Sequence, residues 1–439
     1  MQHTEKLYKA IGKSMLSRYT VYAANIISLM LLSRLFTPEI FGTVASIAVL
    51  LVFFQILSEA GLGPAVINID HLPPADRDGI FSLTLIIGII FSISFIFATP
   101  LIAKLYNSVE IIELTPFGAI TLFFYSASIL PNAMLLRDQN YYKLSIIGLC
   151  AEICSTLTAS ILLQYIDPKI ALIGKTASSS AISFISAYYF SSHTEFGRPR
   201  LGRKISAVYP LLSFSLYQFL FNLINYFSRN LDNILVGRVL GTAALGVYDR
   251  AYQIMRYPLI LLSFAMTPAI QPTLRRHAND LRVIEKIHTD FSYKLSLIAC
   301  PLALAIILLS KLIVKIILGE KWIGVAPLIS IFAFSIPAQV VLSTIGSFFQ
   351  AINKVNLLFL SGLISAATTI SLIAIGIHLG NLEKLSWLLV AAFYINYLQS
   401  YFIFYRFGLS TTPLIFYKKQ TPQLILFIII SYIFYSTTN

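Results

Sequence analysis

The chain has 439 residues, 57% of them hydrophobic and only 12% charged. A water-soluble protein of that length cannot enclose so much apolar surface, so lipid must be the solvent around most of it. The net charge of +13 would point to nucleic acid in a soluble protein, but basic residues collect in the cytoplasmic loops of membrane proteins, and no nucleic-acid partner is expected.

Apolar runs between turn signals predict spans at 12–36, 40–67, 80–103, 114–136, 142–165, 170–190, 209–237, 240–268, 290–318, 323–351, 355–378, 385–407 and 421–437. The breaks fall at Thr37-Pro38, Leu72-Pro73-Pro74, Asp167-Pro168, Gly319-Glu320-Lys321 and Gly380-Asn381, where glycine and proline interrupt helical patterns. Each span must be helical, because a bilayer offers backbone groups no other partner. No period-two alternation supports a barrel. The fold class expected is therefore an all-α integral membrane protein. The first span continues directly into others, so no cleavable signal peptide is expected. Cys150, Cys154 and Cys300 lie inside apolar runs, so no structural disulfide is expected, and the six histidines have no metal-ligand spacing.

Placing the N-terminus in the cytoplasm puts twenty of the 32 basic residues on that side, among them Lys6, Lys9, Lys13, Arg198, Arg200, Arg203, Lys204, Arg282 and Lys286. Ten fall on the other side, including Lys169, Lys321 and Lys384, and Arg250 and Arg256 stay inside a span. This bias predicts a cytoplasmic N-terminus in a bacterial cytoplasmic (inner) membrane, with the two longest loops, 191–208 and 271–289, also cytoplasmic. Neither loop is large enough to form a catalytic domain.

Sliding the sequence over itself by 204 residues matches Tyr22 to Tyr226, Leu31 to Leu235, Arg34 to Arg238, Gly42 to Gly246, Pro64 to Pro268 and Ala65 to Ala269 without a gap. A repeat of six spans gives both halves the same orientation, a parallel repeat. The predicted organisation is an N-lobe over 1–190, a basic linker over 191–208, a C-lobe over 209–407 and an extra helix over 421–437. Such parallel lobes are the architecture of alternating-access transporters.

Gln218, Asn222, Asn225, Arg229 and Asp232 recur at spacings of four and three, on one helical face. The equivalent face in the first half carries Ser14, Arg18, Val21, Asn25 and Ser28. Polar residues in membrane helices face the bundle interior or water, so these stripes are expected to line a central cavity; a local pair between Arg229 and Asp232 at the outer interface is the alternative. On the next helix Asp249, Gln253 and Arg256 share a face, with Arg250 beside it. An Asp249–Arg256 pair would still leave Arg250 in excess, and Lys294 and Lys175 read as snorkelling lysines. The expected cavity is net cationic, and arginine matches phosphate oxygens with two parallel donors. An anionic, phosphorylated substrate follows. Glu59 and Glu152 read as lone carboxylates in apolar helices, suited either to carrying a proton or to a packing hydrogen bond, and Asp232 and Asp249 join them as coupling candidates. No cofactor is expected, with an ion or proton gradient left open as the energy source.

Four segments carry a family resemblance. Leu32 to Gly42 (LSRLFTPEIFG) and Ser58 to Gly63 (SEAGLG) resemble the first-loop motifs of bacterial polysaccharide and O-antigen flippases, the Wzx-like proteins of the multidrug/oligosaccharidyl-lipid/polysaccharide exporter superfamily. Asn230 to Arg238 (NLDNILVGR), followed by Leu245 to Tyr248 (LGVY), resembles the same family's second-lobe motif. The resemblance implies two lobes in a V. It implies translocation of an undecaprenyl-diphosphate-linked oligosaccharide from the cytoplasmic to the periplasmic leaflet, for O-antigen, capsule or exopolysaccharide synthesis. It also implies membrane lipid as a partner, with a polysaccharide polymerase and a chain-length regulator as candidates. Many members have fourteen helices against the thirteen spans read here. A multidrug/cation antiporter of the same superfamily should carry an acidic cavity instead. An oligosaccharide polymerase should carry a long outside loop with catalytic residues, whereas Asp167, Glu320 and Glu383 stand singly in short ones.

Overall fold

The computed structural model describes the chain apart from residues 1, 68, 70, 212–218, 220–222, 224, 225, 227–229, 265–279 and 439, and apart from the side chains of 2–18, 263, 264, 437 and 438. Two compact units divide it at Gly246/Val247. The first unit therefore runs past the 191–208 linker and takes in the helical segment 230–239.

In the first unit, helices α1 (Gln2–Leu35), α2 (Pro38–Glu59), α3 (Leu62–Ile67), α4 (Pro74–Tyr106), α5 (Glu110–Arg137), α6 (Tyr141–Leu162) and α7 (Pro168–Ser191) follow one another. The prolines do what the sequence predicts. Pro38, Pro74 and Pro168 each open a helix, where the missing N–H costs nothing. Asp167 caps α7 by accepting the Lys169 amide at 2.8 Å. The 40–67 span is not continuous: α2 ends at Glu59, and the chain turns through left-handed Ala60 (φ 43°) and Gly61 (φ 74°) into α3. Helix α5 is the centre of the unit, packing against α2, α3, α4 and α7, while α6 lies between α1 and α7.

The second unit holds most of α8 (Thr242–Leu259), which runs into a π-turn at Ile260–Phe264, then α9 (Leu281–Leu308), α10 (Ser310–Ile317), α11 (Ala326–Ala333), α12 (Ile336–Leu342), α13 (Ile345–Ala351), α14 (Val355–His378), α15 (Leu382–Ile403) and α16 (Leu414–Thr438). Among the described residues, eight helices are long and apolar enough to cross a bilayer, and one bent pair brings the count to nine. The difference from thirteen has local causes. Side chains of α1 are described only from residue 19, the 209–237 span falls largely outside the described residues, α8 carries three charges, and α16 also falls outside the count, while the 323–351 span is the bent pair, broken at 55°. The 290–318 span starts earlier, at Leu281, and breaks at Leu309.

The core of the second unit closes around His288, which is wholly buried. Its Nδ1 lies 2.7 Å from the Tyr405 hydroxyl, which also shares a 2.8 Å hydrogen bond with Thr289. Tyr405 sits in a π-helical turn, Phe404–Gly408, that extends α15. Phe348, Phe404 and Phe416 pack their rings around the imidazole. A buried imidazole keeps its polar atoms only where it finds partners, and here the Tyr405 hydroxyl meets Nδ1 and the Ser292 hydroxyl lies 3.4 Å from Nε2.

Candidate functional site

The polar face of α1 meets a neighbouring helix. A Cβ on Gly148 of α6 would lie 3.1 Å from Val21, and Ser28 shares a 2.6 Å hydrogen bond with Thr156. Both contacts advance along the two helices together, so α1 and α6 run parallel. That register sets Asn25, half-buried, level with Glu152. Val21 and Ser28 of the α1 stripe thus contact α6 inside the unit. Arg18 belongs to α1, and its side chain lies outside the described residues.

Glu152 is not alone. The Lys175 ammonium on α7 lies 2.7 Å from its Oε1, with the side chains 15% and 19% exposed. Lys175 is therefore an interior partner and not a snorkelling lysine. Each charge offsets the other's desolvation, and removing one strands the other in apolar surroundings. Glu59 is partnered too. Tyr125 of α5 donates to its Oε2 at 3.2 Å, and the neighbouring Ser58 bonds Ser126. The carboxylate stands at the end of α2, directly before the left-handed turn. Asp232 is buried, with Oδ1 accepting the Asn233 amide at 2.8 Å. Asn222, Asn225 and Arg229, like Gln218, lie outside the described residues.

The glycines matched by the 204-residue repeat touch one another. A Cβ on Gly42 would lie 1.7 Å from the Thr242 carbonyl oxygen, and one on Gly246 would lie 2.0 Å from the Pro38 carbonyl oxygen. Thr242 is itself the repeat counterpart of Pro38. The contact is reciprocal, and only residues without a side chain allow backbones so close.

On α8, Arg250 is held by its own helix. Nη2 lies 2.8 Å from Asp249 Oδ2, and Nη1 donates to Gln253 Oε1 at 2.5 Å. Asp249 therefore neutralises Arg250 and not Arg256, the other pairing that the spacing offered. Arg256 is exposed, with no acidic partner among the described residues. The excess cation on this face is thus Arg256. Lys294, on α9, is exposed.

Three features escaped the sequence. Lys175 and Tyr125 are interior partners that only the packing of α6 on α7 and of α2 on α5 reveals, because nothing in their local sequence separates them from a snorkelling lysine or a core tyrosine. The glycine crossing did leave a signal, since Gly42 and Gly246 are repeat equivalents.

A family model described as polysaccharide biosynthesis protein matches residues 31–327. The teichuronic acid biosynthesis protein TuaB of Bacillus subtilis (strain 168) is 25% identical over 352 residues, covering 79% of this chain and 71% of its own length. The lipopolysaccharide biosynthesis protein WzxC of Escherichia coli (strain K12) is 22% identical over 410 residues, covering 92% and 82%. Among solved structures, the lipid II flippase MurJ in an inward closed conformation superposes with a TM-score of 0.75 at 14% identity, over 97% of this chain and 93% of that one. An inward-facing multidrug resistance transporter of the MATE family, of the MOP superfamily, gives 0.66 at 14% identity, over 88% and 94%. The helical membrane architecture expected from composition is the fold that this chain shares with them.

Proposed function

Since the chain belongs to the polysaccharide biosynthesis protein family, we propose that it is a flippase that moves an undecaprenyl-diphosphate-linked oligosaccharide from the cytoplasmic to the periplasmic leaflet of a bacterial inner membrane. The observation that carries this reading is the family match itself, which spans residues 31–327 and so takes in motif segments of both repeats. The protein is a transporter rather than an enzyme. The charge bias of its loops supports a cytoplasmic N-terminus, and a reporter fused after Arg203 is expected in the cytoplasm, with one at Lys321 outside.

The diphosphate headgroup is assigned to the arginines of the α8 face together with Arg229. Arg250 is preorganised by Asp249 and Gln253, so little side-chain freedom remains to be lost on binding. Arg256, exposed and without an acidic partner among the described residues, supplies the net positive charge. Energy coupling is assigned to a proton on Glu59, whose partner Tyr125 is a neutral donor and leaves the carboxylate able to take up a proton. Glu152 is less suited, because its carboxylate is already engaged by the Lys175 ammonium.

Rescue of surface polysaccharide in a strain lacking the transporter tests the reading, with membrane levels checked for every variant. Arg250→Ala and Arg229→Ala should lose export, and Arg250→Lys should recover part of it, since lysine keeps the charge but loses the planar fork. A lost charge-assisted hydrogen bond weakens headgroup binding by about 1.5–3 kcal/mol, roughly ten- to a hundredfold. Lys384→Ala is the control and should export normally. Full export by both arginine-to-alanine variants would place the headgroup elsewhere. Glu59→Gln should export without dependence on the pH gradient, and retained dependence would leave Glu59 a packing role.

A further inference from the structure

The linker between α7 and the second half of the chain is a fixed strap. Gly79, in the first turns of α4, and Gly202, in the linker, meet backbone to backbone. A Cβ on Gly79 would lie 2.1 Å from the Lys204 carbonyl oxygen, and one on Gly202 would lie 2.7 Å from the Asp78 carbonyl carbon. The Arg200 amide donates to Asp78 Oδ1 and the Gly202 amide to Ser82 Oγ, both at 2.8 Å. Lys204 pairs with Asp76 at 2.5 Å. Upstream, Arg77 bonds Asp78 and the Phe196 carbonyl, while Arg137 pairs with Glu195 at 2.6 Å and lies 4.1 Å above the Phe196 ring. The acids near the strap are therefore engaged in pinning it to the ends of α4 and α5.

What the pinning leaves outward is basic and apolar together. Arg200 and Arg203 are exposed and have no acidic partner among the described residues. Leu201 is 78% exposed and Tyr209 is 69% exposed. Tyr142, in the first turn of α6, and Tyr189, near the end of α7, are exposed as well. Amphipathic tyrosines at helix ends sit at the level of lipid headgroups. Helix α4, on which the strap lies, carries Ile86, Ile89, Ile93 and Ile96 exposed at helical spacing. The strap is thus continuous with a hydrocarbon-facing surface, which argues for a membrane and against a soluble acidic partner.

We propose that residues 198–209 bind the anionic phospholipids of the surrounding bilayer, with Arg200 and Arg203 taking headgroup phosphates and Leu201 and Tyr209 seated in the interface. Juxtamembrane arginines attract anionic headgroups and fall silent when salt screens them. Because the strap is already ordered by its own hydrogen bonds, binding does not have to order it.

Native mass spectrometry of the purified full chain, with phosphatidylglycerol and phosphatidylcholine of matched acyl chains, tests this. Each surface arginine contributes about 1 kcal/mol toward an anionic lipid surface, so R200Q/R203Q should weaken phosphatidylglycerol binding roughly thirtyfold and leave phosphatidylcholine unchanged. R200K/R203K should keep most of the binding, and K384Q all of it. Hydrogen exchange in nanodiscs locates the contact: amides of 197–209 should slow in phosphatidylglycerol relative to phosphatidylcholine, and the slowing should vanish in R200Q/R203Q. Undiminished phosphatidylglycerol preference in R200Q/R203Q would overturn the proposal. So would equal slowing by soluble diphosphate in phosphatidylcholine nanodiscs, which would mark a small-anion site instead of a lipid contact.

Discussion

Glu152 and Glu59 in the first unit and Arg250 in the second find their partners in different ways. In the first, two carboxylates are satisfied across helices, Glu152 of α6 by Lys175 of α7 and Glu59 of α2 by Tyr125 of α5. In the second, Arg250 is satisfied by Asp249 and Gln253 on its own helix. A cross-helix pair ties two elements together and becomes a stranded charge when either partner is lost. A pair on one helix survives any movement of that helix, so its geometry is kept while the helix shifts. The first arrangement ties helices together, and the second keeps an arginine preset within one helix.

The largest effect is expected where the two repeats meet. Gly42→Leu or Gly246→Leu puts a side chain where a carbonyl oxygen now stands within 2.0 Å of the ideal Cβ, and should reduce polysaccharide export to background at normal membrane levels. Substantial export by either variant would show that this crossing opens freely and has no part in the cycle. Next in size is the cross-helix pair. Glu152→Ala should cost about 3–5 kcal/mol, read as a lower thermal midpoint of the detergent-solubilised protein, because it leaves the lysine charge without compensation. Glu152→Ala combined with Lys175→Met should recover most of that loss; a double variant no more stable than the single one would remove the pairing as a source of stability.

The same-helix arrangement should respond less. Asp249→Asn keeps a polar partner for Arg250 and leaves the Gln253 contact in place, so the loss of stability should stay near 1 kcal/mol, the usual net worth of one hydrogen bond. A drop as large as that of Glu152→Ala would erase the distinction between the units. The smallest effect belongs to the hydroxyl contact between α1 and α6. Ser28→Ala should cost about 0.6 kcal/mol, typical of a polar contact between membrane helices, and unchanged hydrogen exchange along α6 would be the matching readout.

Composition by itself decided the environment: a chain with 57% hydrophobic residues must be solvated by lipid, and lipid permits helices. The prolines at 38, 74 and 168 decided where three helices begin, because a ring that fixes φ and lacks an N–H is tolerated in the first turn and not in the middle. The repeat decided which glycines are equivalent. Nothing local could decide what Lys175 or Glu59 touches, since snorkelling and buried lysines have the same sequence neighbourhood in an apolar helix. The same limit explains the α1 stripe. Spacings of three and four put Asn25 and Ser28 on one face, but a helix in a bundle offers such a face equally well to a cavity and to a neighbouring helix, and it is the packing that sets Ser28 against Thr156 of α6. Spacing put Asp249 and Arg256 on one face two turns apart, but the structure pairs Asp249 with the adjacent Arg250. Periodicity names the face; the tertiary structure names what the face meets, because burial and partner are properties of packing between segments far apart in the chain.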